Sequence, residues 1–525
     1  MKVTVPATSV RALGAVAATA DQLATQAAMA AFTRGGNAVD AAIAANAAIA
    51  VTAPHLCGMG GDLFALVHVP GHGVAALNAS GRAGSGADAE AMRSEGHTAM
   101  PMRHDVRTVT VPGCVDGWIL LHERYGRLDL GTILGPAIRL AAFGFPASPL
   151  LVGSLGLLDA DARPRFEELL VQARAPGAPV RRPGVALALQ AIVAGGRAAF
   201  YGGAFGEGLL ALGAGYFADS DLDTVQADWT EPLQVAALGV ELSTIGPNSQ
   251  GYLTLGAARL LDRVGVPVDP DDPQWAHVLI EAAATAAFDR PDLLHEGADG
   301  AALLAAIEER ARLVDLARAG RRPASTAPGD TTYLCTADSS GMAVSLIQSN
   351  AAGFGSWLVE PTTGINVHNR GLGFSLAAGH PAEHRPGARP PHTLCPAMAT
   401  RDGALAAVFG TMGGDAQPQI LLQIAARLFV HGASPADAVS SPRWVLRGAA
   451  TGFDTWTSGR APTVLLEGNA PPEWRPGLLE RGHAVEVAAP LDSGFGHAHA
   501  IVVEPAGTFA AAADPRARVG SAAGV

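Results

Sequence analysis

The chain has 525 residues, 49% of them hydrophobic and only 16% charged, enough apolar material for a large core, which excludes a disordered protein. A formal charge of -12 without clustered Lys and Arg argues against a nucleic-acid partner and for a small-molecule substrate. Cys57, Cys114, Cys335 and Cys395 are scattered without CxxC spacing, so no disulfide scaffold is expected.

From the N-terminus, the Ala-rich stretch after Ala12 is interrupted by Asp21, Arg34 and Asp40, so neither a leader peptide nor a membrane span is expected, and the protein reads as cytoplasmic. Good helix formers between a candidate cap at Asp21 and the Gly35-Gly36 stop predict a helix over 22–33, with a second, apolar helix over 39–51. The glycines of GMGGD at 58–62 run into an apolar segment, 63–69, whose length suits a buried strand. A phosphate-binding glycine loop needs a helix start there, which disfavours a nucleotide site. A strand over 74–77 and a helix over 115–125, opened by Pro112-Gly113, come next.

The span 130–316 is mainly helical in pattern, and RRPASTAPGD at 321–330 reads as an exposed connector. After it, β-like runs at 332–337 and 342–347 flank the turn DSSG, and a second pair, 398–400 and 404–409, flanks RDG. A helix over 417–430 and strands at 484–487 and 500–503 complete the prediction. Strands bracketed by helices suggest sheets covered by helices, an α/β (α+β) layered architecture.

A connector running into Thr331-Thr332 at a strand start is the arrangement expected of an N-terminal nucleophile. A hydroxyl attacks poorly unless a base takes its proton, and an α-amine freed by chain cleavage, with a reference pKa near 8, is a base on the same residue. Thr pairs also begin strands through β propensity alone, so the pattern by itself leaves both readings open.

Longer motifs carry a resemblance. They are GGNAVDAAIAANAAIAV at 35–51, PHLCGMGGDLFALVH at 54–68, VPGCVDGW at 111–118 and GDTTYLCTADSSGMAVSLIQS at 329–349. GFGSWLVEPTTGI at 353–365, RPPHTLCPAM at 389–398, FGTMGGDAQPQ at 409–419 and the terminal DPRARVGSAAGV follow. In this order they resemble the γ-glutamyltranspeptidase family. The resemblance implies a four-layer αββα sandwich of the N-terminal nucleophile hydrolase type and a precursor that cuts itself between Asp330 and Thr331. Residues 1–330 would form a large subunit and 331–525 a small one within one body, leaving a homodimer of heterodimers open. It implies Thr331 as nucleophile, Ser349 as its supporting hydroxyl, and Gly413 and Gly414 as oxyanion donors, with no cofactor and no metal.

Departures from the family pattern bear on the substrate. NVHNRGLGFSL at 366–376 puts Arg370 and Gly373 where typical members carry a glutamine and an acidic residue. Losing the carboxylate removes a partner for a substrate ammonium, while Arg370 adds a fork suited to a carboxylate. His392 and Thr393 replace a serine pair, and Arg82 is shifted from the family's carboxylate-binding arginine. The NRG and FSL pattern resembles a branch with acylase-like proteins and oxamate amidohydrolases. An amide whose acyl part bears a carboxylate, γ-glutamyl or another, is therefore the expected substrate, resolved by water or an amino acceptor. The rivals are an uncut binding protein and a carbon-carbon bond hydrolase in a biosynthetic pathway. His497 and His499 share one strand face, a spacing that can serve a metal, but the structural reading is favoured.

Overall fold

Period-two apolar patterning builds the centre of the molecule, and the computed structural model describes it over residues 8–320, 331–447 and 462–525. The connector 321–330, with Asp330, lies outside the described residues. One antiparallel sheet, here the front sheet, runs in the order Ser521–Gly524, Ala15–Thr19, Thr332–Asp338, Ala343–Ser349, Asp62–Val69, Gly73–Ala79, Asp228–Thr230. The back sheet runs Val10–Ala12, Phe509–Ala513, Ala498–Val503, Ala404–Thr411, Ala397–Arg401, Val240–Ile245, Pro232–Ala237.

Phe64, Leu66, Tyr333, Cys335, Ile347, Met398, Val408 and Ile501 fill the layer between the sheets. The alternate residues of the front sheet, Leu63, Ala65, Leu334 and Leu346, face outward into a core shared with the helices Gln22–Thr33, Ala38–Thr52 and Cys114–Tyr125. Tyr252–Val264, Pro273–Ala287 and Gln417–Ala425 cover the back sheet in the same way. The result is the four-layer αββα sandwich, each layer hydrophobic where it meets the next.

Local signals explain the covering helices. Asp21 caps the first by accepting the Leu23 N–H, and Asn37 with Asp40 forms a capping box on the second. The second helix is buried along all of Ala38–Thr52, as a sequence apolar on every side except at Asp40, Asn46 and Thr52 requires.

The structure differs from the sequence reading in several places. The span read as mainly helical also contains Pro232–Ala237 and Val240–Ile245, a hairpin whose turn holds Leu238 and Gly239 at φ 54 and 77. The helix predicted over 417–430 is α-helical only to Ala425 and continues as a π-helix, Ala426–Val430. The alanine-rich strands Ala15–Thr19, Phe509–Ala513 and Ser521–Gly524 have little intrinsic β preference and form where neighbouring strands pair with them. A buried ionic network anchors that C-terminal run: Asp514 pairs with Arg443 at 2.6 Å and Arg516 at 3.0 Å, and Arg516 pairs with Glu467. All four cysteines are buried and free.

Candidate active site

Strand register aligns the first group of candidate residues. Ser349 stands opposite Asp62 across the pair Ala343–Ser349 and Asp62–Val69. Thr332 stands opposite Gln348, so one step back along the same register Thr331 faces Ser349. Residues paired across a sheet share a face, which here is the face toward the back sheet, the side filled by Tyr333 and Ile347. Thr331 is 1% exposed, and its hydroxyl donates to Ser349 Oγ at 3.0 Å. Ser349 Oγ also accepts the Ala351 N–H at 2.8 Å, so the hydroxyl pair is anchored to backbone.

Arg370, 1% exposed, extends the group through its two terminal nitrogens. One donates to Thr393 Oγ1 at 3.0 Å and the other approaches Ser349 Oγ at 3.4 Å. Burial pushes the guanidinium down to about 10, against the pull of Asp62 and Asp415, so it keeps its charge at neutral pH. Gly373 sits where a Cβ would come within 2.3 Å of the Pro391 carbonyl, and this close approach holds the Arg370 turn against the segment carrying His392 and Thr393.

Asp62, His368 and His392 form a buried centre behind these hydroxyls. Asp62 Oδ2 is 3.1 Å from His392 Nε2 and 3.5 Å from His368 Nδ1, and Oδ1 accepts the Gly81 N–H at 2.9 Å. Burial alone would raise the Asp62 carboxyl, but His368, His392 and Arg370 outweigh it and hold it at about 2. Burial, then Arg370, pushes His392 down to about 3, so the ring is neutral. Its Nδ1 accepts the Leu394 N–H, which leaves Nε2 to donate to the carboxylate.

From the facing sheet, the strand Ala404–Thr411 ends beside this group and turns at Gly413, whose φ of 142 only glycine adopts readily, and Gly414 at φ 55. Gln250 links the two sides, its side-chain amide donating to the carbonyls of Gly414 at 3.0 Å and Thr393 at 2.9 Å. Asp415, next in sequence and buried, is paired with Arg290 at 3.3 Å. That cation lies against the carboxylate next to the Gly413-Gly414 turn.

The structure therefore brings together Thr331, Ser349, Arg370, Thr393, His392 and the Gly413-Gly414 turn. Arg82 is engaged elsewhere: it pairs with Glu296 at 2.7 Å and Asp228 at 3.6 Å, and no described hydrogen bond joins it to Thr331. His497 bonds Ser493 Oγ at 2.8 Å and His499 accepts the Asp514 N–H at 3.2 Å. Sequence reading missed Asp62, His368 and Gln250. The first two lie inside quoted motifs, where a carboxylate and an imidazole next to glycine-rich turns were the available signal.

Residues 24–525 match the family model described as gamma-glutamyltranspeptidase. The chain belongs to that family. It is 36% identical to the oxamate amidohydrolase proenzyme of Klebsiella pneumoniae, over 96% of this chain and 97% of the relative. It is 33% identical to the glutathione hydrolase-like YwrD proenzyme of Bacillus subtilis, over 96% and 97%. Among solved structures, cephalosporin acylase from Bacillus halodurans superposes with a TM-score of 0.89 at 32% identity, covering 100% of this chain and 98% of the other. The chain is thus a γ-glutamyltranspeptidase-family amide hydrolase with the αββα fold of its acylase relatives.

Proposed function

We propose that the protein is an autoprocessing amidohydrolase in which scission before Thr331 frees a threonine that acts as both nucleophile and base. Its α-amine takes the hydroxyl proton, the oxygen attacks the amide carbonyl, and the Gly413 and Gly414 amides receive the oxyanion. The amine returns the proton to the leaving nitrogen, and water, deprotonated by the same amine, releases the acyl group. Relatives named proenzymes fit a precursor that is cut.

The observation that carries the substrate reading is the position of Arg370. Its guanidinium lies two hydrogen-bond lengths from the Thr331 hydroxyl, by way of Ser349. A carboxylate bound there sits close to the carbonyl under attack, which favours short acyl groups such as the oxalyl group of oxamate. The α-carboxylate of a γ-glutamyl group is several bonds further away. The first-named relative is an oxamate amidohydrolase.

A panel of oxamate, glutaryl amides, glutathione and a γ-glutamyl anilide tests this with purified processed protein. The expected result is preference for the short carboxylate-bearing amides, with kcat/KM reduced about 100-fold in Arg370→Gln through loss of a charged hydrogen-bonded pair. Clear preference for the γ-glutamyl substrates contradicts the reading.

A further inference from the structure

Away from that site, three side chains with metal-ligating atoms converge beside the helix Pro273–Ala287. His277 and Glu281 lie four residues apart on it, on one face, and both are buried. His483 follows the helix Trp474–Glu480 and is partly exposed. His277 Nδ1 is 2.8 Å from His483 Nε2, and one ligand atom from each of His277, Glu281 and His483 lies within 4.8 Å of the other two.

The tautomer of His277 is set by its other nitrogen. Nε2 is 2.8 Å from the Asp315 carbonyl, and a carbonyl can only accept, so Nε2 carries the proton and Nδ1 presents a lone pair to the cluster. An imidazole that donates one N–H to a backbone carbonyl and aims its other nitrogen at further ligands has the outer-shell support typical of a metal-binding histidine.

We propose that His277, Glu281 and His483 form a site for zinc or a similar divalent transition metal, with water completing the coordination on the exposed side of His483. Three protein ligands and a water suit zinc. Binding requires His483 to move its ring proton from Nε2 to Nδ1, so both rings stay neutral, and the 2.8 Å contact to open to about 3.4 Å, the separation set by two Zn–N bonds in a tetrahedron. Glu281 also accepts the Gly320 N–H at 3.0 Å, and an ionised carboxylate has about four lone-pair sites, so a metal can share it with the partners it already has.

The position suggests a purpose. Asp315 and Gly320, both held by these ligands, belong to the chain leading into 321–330, whereas His483 lies beyond Thr331. A metal here would staple the end of the 1–330 segment to the 331–525 segment. The site itself does not depend on Thr331 being a nucleophile.

The test uses the full chain without a polyhistidine tag, stripped with chelator and dialysed against low-micromolar zinc. Elemental analysis should find one zinc ion per chain, and cobalt in its place should give the visible absorption of a tetrahedral site. His483→Ala, at a partly exposed position that tolerates truncation, should weaken zinc binding about 100-fold. Glu281→Gln should weaken it too, and if that variant fails to fold, His483→Ala decides alone. Wild-type protein that takes up no zinc, or uptake unchanged by His483→Ala, overturns the proposal.

Discussion

The Thr331 hydroxyl is oriented by Ser349, and Ser349 by the Ala351 N–H. A neutral hydrogen bond of this kind contributes about 1 kcal/mol net, and 1.4 kcal/mol is tenfold in rate. Ser349→Ala should therefore slow turnover about fivefold while the protein stays folded, because the space left is small and the network behind it, Asp62 with His392 and His368, is intact. Turnover equal to wild type in a folded Ser349→Ala protein contradicts a supporting role for this hydroxyl. Residue types were legible in the sequence here, and their convergence was not. Asp62 and His392 are neighbours only because the segment after Gly373 folds back over the end of the front sheet, a relation that no local pattern contains.

At the scale of elements, the turn after Ala404–Thr411 is held by a backbone conformation that a side chain resists. Gly413 at φ 142 has Ile420 Cδ1 3.2 Å from where its Cβ would stand. Gly413→Ala should cost about 1–3 kcal/mol of stability through strain. By swinging an amide away from the developing oxyanion it should also lower kcat about 100-fold. Thermal unfolding and steady-state kinetics measure the two effects separately, and a variant that loses stability but keeps full kcat removes Gly413 from the oxyanion site. Elements with strong local signals were legible: the Asp21 cap, the two opening helices and the hairpin Thr332–Asp338 with Ala343–Ser349 all form as their sequences indicate. The alanine-rich strands were not, since alanine favours helices when isolated and these segments become strands through pairing partners far away in sequence.

Across the whole molecule, the two sheets have different jobs. The front sheet brings Thr331, Ser349 and Asp62 into one row at its end, and the back sheet delivers the Gly413-Gly414 turn to the same end. Strands from both sides of position 331 interleave in each sheet: Thr332–Asp338 pairs with Ala15–Thr19, and Ala397–Arg401 with Val240–Ile245. Two chains produced by a cut at that position would therefore remain locked by shared sheets and a shared core. The layered architecture was readable from strands bracketed by helices, but this interleaving was not, because it depends on long-range pairing. The most direct measurement is the intact mass of the purified protein under denaturing conditions. Two chains, 1–330 and 331–525, are expected from the wild type and one uncut chain from Thr331→Ala, with the native pair co-eluting as a single species. A folded, catalytically active wild type that remains one polypeptide contradicts the central claim.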